Sequence, residues 1–125
     1  ESMRRVFAPK ADGAWFLHKH TATDSLEAFV TFSSVSALLG NVGQMNYGAA
    51  NAYLDELAIW RVSHGLPALS IQWPGVLGVG MAAAMDDRVQ LEPETMVSEK
   101  TVKRVLDQLL GTSVAISTPV QSVVP

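Results

Sequence analysis

A tyrosine, an asparagine and a serine stand in this chain at spacings that would let them act together on a ketone. Tyr47 and Asn51 are four residues apart, so on a helix they share one face. Ser34 lies thirteen residues before Tyr47, at the end of an apolar run typical of a strand. Reduction of a ketone needs a proton for the carbonyl oxygen, which a phenol can donate, and a nearby hydroxyl can polarise that carbonyl. The three residues therefore form a candidate site for ketone reduction.

Lys10 is the charged member of an otherwise apolar stripe, whose spacings of three and four residues indicate a helix face: Met3, Phe7, Lys10, Ala14 and Leu17. An ammonium group near a phenol stabilises the phenolate, so Lys10 is the candidate partner of Tyr47. Alternatively, Pro9 breaks the helix and Lys10 merely extends its stem along the surface. Periodicity alone favours this second interpretation.

The other candidates also have ordinary structural explanations. A single tyrosine in a helix is usually a half-buried core residue, and an asparagine within a helix often faces solvent. A Ser-Ser pair after a strand, such as Ser33-Ser34, usually belongs to a turn. For any two of these residues the structural explanations are the better ones. Only the combination of all the candidate residues favours a functional site.

The apolar patterns predict an alternation of helices and strands that would position these residues. Strands are predicted at 29–34, 68–73 and 114–116, and helices at 44–64 and 101–110. Gly65 is a plausible helix C-cap, Gly40 to Gly43 and Pro74 to Gly80 read as loops, and the last residues read as an irregular tail. This alternation predicts an α/β fold with a Rossmann-like, doubly wound parallel sheet. Ligands of such sheets bind beyond the carboxyl ends of the strands, where Ser34 and Trp73-Pro74-Gly75 lie.

Composition excludes several classes of function. The 125 residues carry 48% hydrophobic side chains and a net charge of −3, which predicts one small core and no nucleic-acid partner. The absence of cysteine excludes disulfides and thiolate chemistry. We expect His18, His20 and His64 to be solvated surface residues and hence no metal site. No signal peptide or membrane span is visible, so we expect no membrane partner and a cytoplasmic protein.

Several short motifs occur together between Ala8 and Met81. In chain order they are Pro9-Lys10-Ala11-Asp12-Gly13-Ala14, Leu17-His18, Phe32-Ser33-Ser34-Val35, Gly40-Asn41-Val42-Gly43-Gln44, Asn46-Tyr47-Gly48-Ala49-Ala50-Asn51-Ala52, Leu54-Asp55, Arg61, Gly65-Leu66-Pro67-Ala68, Ser70-Ile71-Gln72-Trp73 and Gly80-Met81. As a set they resemble the ketoreductase domain of type I polyketide synthases and animal-type fatty acid synthases, within the short-chain dehydrogenase/reductase superfamily.

This resemblance implies a catalytic role for four residues. The catalytic serine of the family falls on Ser34, the tyrosine on Tyr47, the asparagine on Asn51 and the lysine on Lys10. In this family lysine and asparagine exchange places relative to the commoner Tyr-x-x-x-Lys reductases, so the resemblance makes the charged residue on the apolar stripe an expected one. It also implies NADPH as hydride donor and a β-ketoacyl chain on the phosphopantetheine of an acyl carrier protein as substrate.

The expected cofactor contacts are Lys10, Tyr47, Pro74, Gly75 and Val76. Many synthase ketoreductases have Trp-Gly-x-Trp where this chain has Trp73-Pro74-Gly75-Val76, which instead resembles reductases whose backbone meets the nicotinamide there. The 125 residues contain no glycine-rich dinucleotide fingerprint. We therefore expect residues 1–125 to be the C-terminal part of one ketoreductase domain in a larger chain, with its N-terminal half and other synthase domains as partners.

Two alternatives remain open at this stage. The first keeps the chemistry but assigns it to a fatty acid synthase, towards which Gly48 and the Ile71-Gln72-Trp73 strand lean slightly. The second is a non-catalytic structural or interaction fragment, which the missing nucleotide-binding half favours for the chain in isolation.

Overall fold

The computed structural model of this chain describes residues 3–39, 45–77, 96–111 and 118–124. The elements, in chain order, are α1 (Met3–Phe7), one π-helical turn (Ala8–Asp12), α2 (Gly13–Thr21), β1 (Val30–Ser34), α3 (Ser36–Leu39), α4 (Met45–Ser63), β2 (Leu69–Trp73), β3 (Gly75–Val76), β4 (Met96–Val97), α5 (Glu99–Gly111) and β5 (Val120–Ser122). Within these residues no helix is both long enough and apolar enough to span a bilayer.

A parallel three-stranded sheet with the order β1-β2-β5 organises the fold. Val30 lies opposite Leu69 and Ser34 opposite Trp73, so β1 and β2 end together. On the other side of β2, Ser70 lies opposite Val120. The predicted parallel α/β arrangement is therefore confirmed.

Helices pack on both faces of β2, and every residue of this strand is buried, as expected for the centre of a parallel sheet. Leu69, Ile71 and Trp73 face the apolar side of the amphipathic helix α5. Ser70 and Gln72 point to the opposite face, towards α4. A second apolar cluster lies between α2 and α4: Ala14, Phe29, Leu54, Leu57, Ala58 and Ala68.

The helical backbone that carries Lys10 is not interrupted at Pro9. The backbone widens there into a single π-helical turn, with the proline in its first positions, where a missing N–H is tolerated. Wide turns of this kind are frequent at functional sites. Lys10 is thus held on a wound segment and does not follow a break.

The C-terminal region departs from the prediction. Residues 120–122, expected in an irregular tail, form β5, because pairing with the buried strand β2 satisfies their backbone groups. The predicted loop at 74–80 contains the short strand β3, which pairs with β4 in parallel. Helix α3 was not predicted. The expected loop at 40–43 and strand at 114–116 lie outside the described residues, as does 78–80.

Helix α4 ends as its sequence indicates. Gly65 has a φ of 74°, a left-handed conformation that costs glycine little and other residues more. The helix predicted at 44–64 is observed at Met45–Ser63, and that predicted at 101–110 is observed at Glu99–Gly111.

Candidate active site

Lys10 and Tyr47 come together although 37 residues separate them. The Lys10 ammonium lies 5.4 Å from the centroid of the Tyr47 ring, and it donates a hydrogen bond to the carbonyl oxygen of Phe32 at 3.1 Å. The side chain is half-buried. Burial lowers the pKa of Lys10, while the negative charge of Asp55 acts in the opposite direction. A cation thus lies near a phenol at the C-terminal half of β1.

Asn51 is completely buried, one turn after Tyr47 on the same face of α4. Its side-chain amide Nδ2 donates to the carbonyl oxygen of Tyr47 at 2.9 Å. Its own carbonyl accepts a hydrogen bond from Ser33 Oγ at 3.2 Å, which ties α4 to β1. Its Oδ1 is buried with no partner among the described residues. A buried acceptor of this kind calls for a donor from a bound water or ligand.

Ser34 ends β1 with its hydroxyl oxygen already engaged. Ser34 Oγ accepts one hydrogen bond from the Ser36 backbone N–H at 3.2 Å and another from Ser36 Oγ at 3.0 Å. Since a hydroxyl has one donor, the hydrogen of Ser34 remains available for an acceptor such as a carbonyl oxygen.

Gly48 brings this serine turn close to Tyr47. A Cβ at position 48 would lie 3.1 Å from the Ser36 carbonyl oxygen, tighter than ordinary van der Waals contact. The missing side chain therefore permits the close approach of α4 to α3. Ser34, Ser36 and the first turn of α4 form one connected unit.

Pro74, Gly75 and Val76 follow β2 at the same edge of the sheet where Ser34 ends β1, because Ser34 and Trp73 are in register. Pro74 is buried, and Gly75 and Val76 are half-buried in strand β3. These residues therefore lie beyond the carboxyl ends of the strands, where ligands of parallel sheets bind.

The expectation of three solvated histidines is wrong for His18. This side chain is only 6% exposed, and its Nδ1 accepts a hydrogen bond from Arg61 Nη1 at 2.8 Å. Arg61 itself is completely buried, lies 4.0 Å from the Phe29 ring centroid and donates to the Pro67 carbonyl. A buried guanidinium needs hydrogen-bond acceptors, and His18 supplies one of them to Arg61. The apolar pattern of the sequence did not indicate this contact. Burial and the Arg61 charge both lower the pKa of His18.

His20 and His64 are exposed, as expected. Among the described residues no group of three histidine, aspartate, glutamate or cysteine side chains could hold a metal ion.

Asp55 also belongs to this site, although the sequence patterns assigned it no role. It is 7% exposed and lies one turn beyond Asn51 on α4. Its carboxylate accepts hydrogen bonds from Ser70 Oγ at 2.6 Å and from Gln72 Nε2 at 2.8 Å. The four-residue spacing of positions 47, 51 and 55 was the signal that could have indicated it.

The donor set fits one end of a dinucleotide. Three groups of the site can bind ribose hydroxyls or a carboxamide. They are the Lys10 ammonium, the Tyr47 phenol and the Asn51 Oδ1, which is buried without a partner in the part of the chain that the structure describes. A phosphate site would need backbone N–H groups of a glycine-rich turn, and the sequence holds no such motif. These groups could therefore hold the nicotinamide end of a dinucleotide but not its phosphates.

Comparison with known proteins places the chain among ketoreductases. The family described as the KR domain matches residues 1–78. The chain is 45% identical over 121 residues to the spectinabilin polyketide synthase system protein NorB of Streptomyces orinoci, covering 93% of this chain and 6% of that protein. It is 56% identical over 73 residues to polyketide synthase GfsB of Streptomyces halstedii, covering 58% of this chain and 1% of that protein.

Solved structures agree with the sequence comparison. An A1-type ketoreductase superposes with a TM-score of 0.84 and 35% identity, covering 98% of this chain and 25% of that one. The first ketoreductase of the tylosin polyketide synthase superposes with a TM-score of 0.74 and 37% identity, covering 98% and 26%. The chain thus spans about a quarter of these structures and a few per cent of the curated relatives. On this evidence the chain belongs to the KR domain family.

Proposed function

We propose that this chain supplies the catalytic side chains of an NADPH-dependent reductase, which converts a β-ketoacyl thioester on an acyl carrier protein to the β-hydroxyacyl thioester. The observation that supports it most directly is the Lys10 ammonium 5.4 Å from the Tyr47 ring. Sequence periodicity did not require this proximity. The relatives are polyketide synthases, which favours that pathway over fatty acid synthesis.

The site residues divide the work of protonating a carbonyl oxygen. The Ser34 hydroxyl, whose oxygen is held by Ser36, donates a hydrogen bond to the substrate carbonyl and polarises it. The Tyr47 hydroxyl donates the proton, and the Lys10 ammonium stabilises the phenolate left behind. Asn51 holds the first turn of α4 through the Tyr47 carbonyl and so fixes the ring.

NADPH, when bound, supplies the hydride. Lys10 and Tyr47 would hold its nicotinamide ribose, and the backbone at Pro74, Gly75 and Val76 would line its nicotinamide ring. The half-buried setting of Lys10 limits the access of water to the ammonium, which strengthens its interaction with a phenolate.

We further propose that the chain is the C-terminal part of one ketoreductase domain of a cytoplasmic, multidomain synthase. The 23–30% share of the solved ketoreductases that it covers supports this. The N-terminal half of the domain would then carry the phosphate-binding turn, and the acyl carrier protein would present the substrate to the carboxyl edge of the sheet.

The two tyrosines of the chain provide a matched test in the complete ketoreductase domain. Tyr47→Phe removes the proton donor, and we expect kcat for reduction of a β-ketoacyl thioester to fall by about two to four orders of magnitude. Tyr53→Phe, on the same helix but packed against the apolar cluster of α2 and α4, should keep near wild-type activity. The measurement is steady-state NADPH oxidation. Equal rates for the two variants would refute the assignment and favour a non-catalytic role.

A further inference from the structure

We propose that Asp55 is a positioning residue of this site: its carboxylate fastens the catalytic face of α4 to the sheet and supplies the negative charge that accompanies the Lys10 ammonium. This inference rests on the proposed function, because that function makes the face of α4 with Tyr47 and Asn51 catalytic. The placement of Asp55 itself rests on contacts that are independent of it.

The first support is the direction of the hydrogen bonds around Asp55. Ser70 Oγ donates to Oδ1 and Gln72 Nε2 donates to Oδ2. Gln72 Oε1 in turn accepts a hydrogen bond from Ser122 Oγ on β5. All the donors point towards the carboxylate, so one acidic side chain orders a polar layer that reaches across β2 to β5. A buried network of this kind is specific only when each member is satisfied.

The second support is the position of Asp55 on α4. Positions 47, 51 and 55 repeat at four residues, so Asp55 lies two turns beyond Tyr47 on the face that also carries Asn51. Ser33 binds the Asn51 carbonyl from β1, and Asp55 binds β2, so two neighbouring strands hold the same helix face. A rotation of α4 that moved the Tyr47 ring would break both attachments.

The third support is electrostatic. Within the described residues, the charged and titratable groups that bear on this face are Lys10 from the π-helical turn and Tyr47 and Asp55 from α4. The strands contribute Ser33, Ser70, Gln72 and Ser122 to its hydrogen bonds. Burial disfavours the charged form of Lys10, and the Asp55 charge opposes that effect. Loss of the carboxylate should therefore make the ammonium easier to deprotonate.

The test separates charge from shape with two variants of one helix. Asp55→Asn keeps the side-chain size, and its amide can still join the network if Gln72 and Ser122 reverse their hydrogen bonds. Glu56→Gln removes the same charge from the neighbouring exposed position. Both variants are made in the complete ketoreductase domain, and Lys10 is followed by the ¹³Cε resonance that Lys10→Met eliminates.

In Asp55→Asn we expect the Lys10 resonance to titrate at lower pH than in wild type, whereas Glu56→Gln leaves the midpoint unchanged. We also expect kcat to fall about tenfold in Asp55→Asn with little change in KM, since the helix face and not substrate binding is affected. An unchanged Lys10 midpoint in Asp55→Asn, or an equal shift in Glu56→Gln, would overturn the proposal. The titration decides this even if the domain reduces no β-ketoacyl substrate, which would refute the proposed function alone.

If Asp55→Asn does not fold, Ser70→Ala weakens the same attachment, because it removes one of the two donors to the carboxylate. We expect kcat to fall severalfold with little change in KM, since the helix loses part of its attachment to β2. Ser63→Ala, at an exposed serine of α4, is the control and should keep the wild-type kcat. An unchanged kcat in Ser70→Ala, or an equal loss in Ser63→Ala, would contradict the proposal.

Discussion

The Lys10 ammonium contacts both the backbone of β1 and the ring of Tyr47. The carbonyl of Phe29 points to β2, since Leu69 N–H donates to it. Carbonyls alternate along a strand, so that of Phe32 points to the opposite, unpaired edge of β1 within the described sheet. The ammonium binds there, which caps an edge carbonyl and holds the charge beside Tyr47.

Replacement of Lys10 tests whether this charge is needed for function or for folding. Since burial of the ammonium is unfavourable, Lys10→Met exchanges one hydrogen bond for relief of desolvation, and we expect the free energy of unfolding to change by less than about 1 kcal/mol. In the complete domain kcat should fall by about a hundredfold or more. Lys19→Met is the control for both measurements, urea unfolding and NADPH oxidation. Full activity of Lys10→Met would show that Lys10 only covers the sheet edge.

His18 should make the stability of the protein sensitive to mild acid. Its pKa is lowered in the folded state, so below about pH 6.5 the unfolded chain binds a proton that the folded chain resists. Stability is therefore complete above that pH and is lost progressively as the pH falls below it. Urea unfolding between pH 7 and 5.5 should show this slope, and His18→Gln should reduce it. His20→Gln, at an exposed site, should not alter it.

At the scale of elements, the end of α4 determines how β2 enters the sheet. Gly65 ends the helix in a left-handed conformation, and Leu66 N–H then bonds back to the Arg61 carbonyl at 2.9 Å. The chain reaches β2 within four residues. The helix that carries Tyr47 and Asn51 and the buried strand below it are thus connected by a short turn with a defined conformation.

This turn yields a prediction on two glycines that end helices. Gly65→Ala places a Cβ on a residue with a φ of 74°, so we expect the free energy of unfolding to fall by about 1 kcal/mol although nothing lies within 4 Å of that Cβ. Gly111→Ala, at the end of α5, also meets nothing within 4 Å and has no positive φ. It should be neutral or slightly stabilising in thermal unfolding. Equal losses at the two sites would contradict the conformational argument.

For the molecule as a whole, β1 is one of the two edge strands of the sheet within the described residues, and β5 is the other. Phe32 is 50% exposed on this strand although its ring lies against Trp73, with centroids 5.7 Å apart. An unpaired edge strand with an exposed aromatic residue is a position for a further strand. In the complete ketoreductase domain proposed above, the rest of that domain would cover this edge.

We therefore predict that the 125-residue chain alone does not bind NADPH tightly, because its sequence contains no glycine-rich turn for the pyrophosphate. Titration calorimetry should show no saturable heat with the isolated chain and stoichiometric binding with the complete domain. Tight binding by the isolated chain, together with a cooperative unfolding transition, would contradict this expectation.

Local sequence patterns were enough to predict the type and order of the main elements. The apolar runs at 29–34 and 68–73, the long helix ending at Gly65 and the amphipathic helix before Gly111 are local patterns, and all four were predicted correctly. Local patterns suffice there because periodicity and helix-ending glycines act within a few residues. The motifs between Ala8 and Met81 likewise predicted the family, which the comparisons confirm.

Features that depend on distant partners could not be predicted from local patterns and became visible in the fold. Strand β5 has little sequence pattern of its own and forms because its backbone pairs with β2. His18 is buried because it accepts a hydrogen bond from the buried Arg61. Periodicity placed Lys10 on the surface, but the π-helical turn and the edge of β1 bring its ammonium beside Tyr47. Its catalytic role, like that of Ser34, Tyr47 and Asn51, stays a prediction. Hydrogen bonds and charges across the fold are not encoded in local spacing, which is why Asp55 emerged from the structure alone.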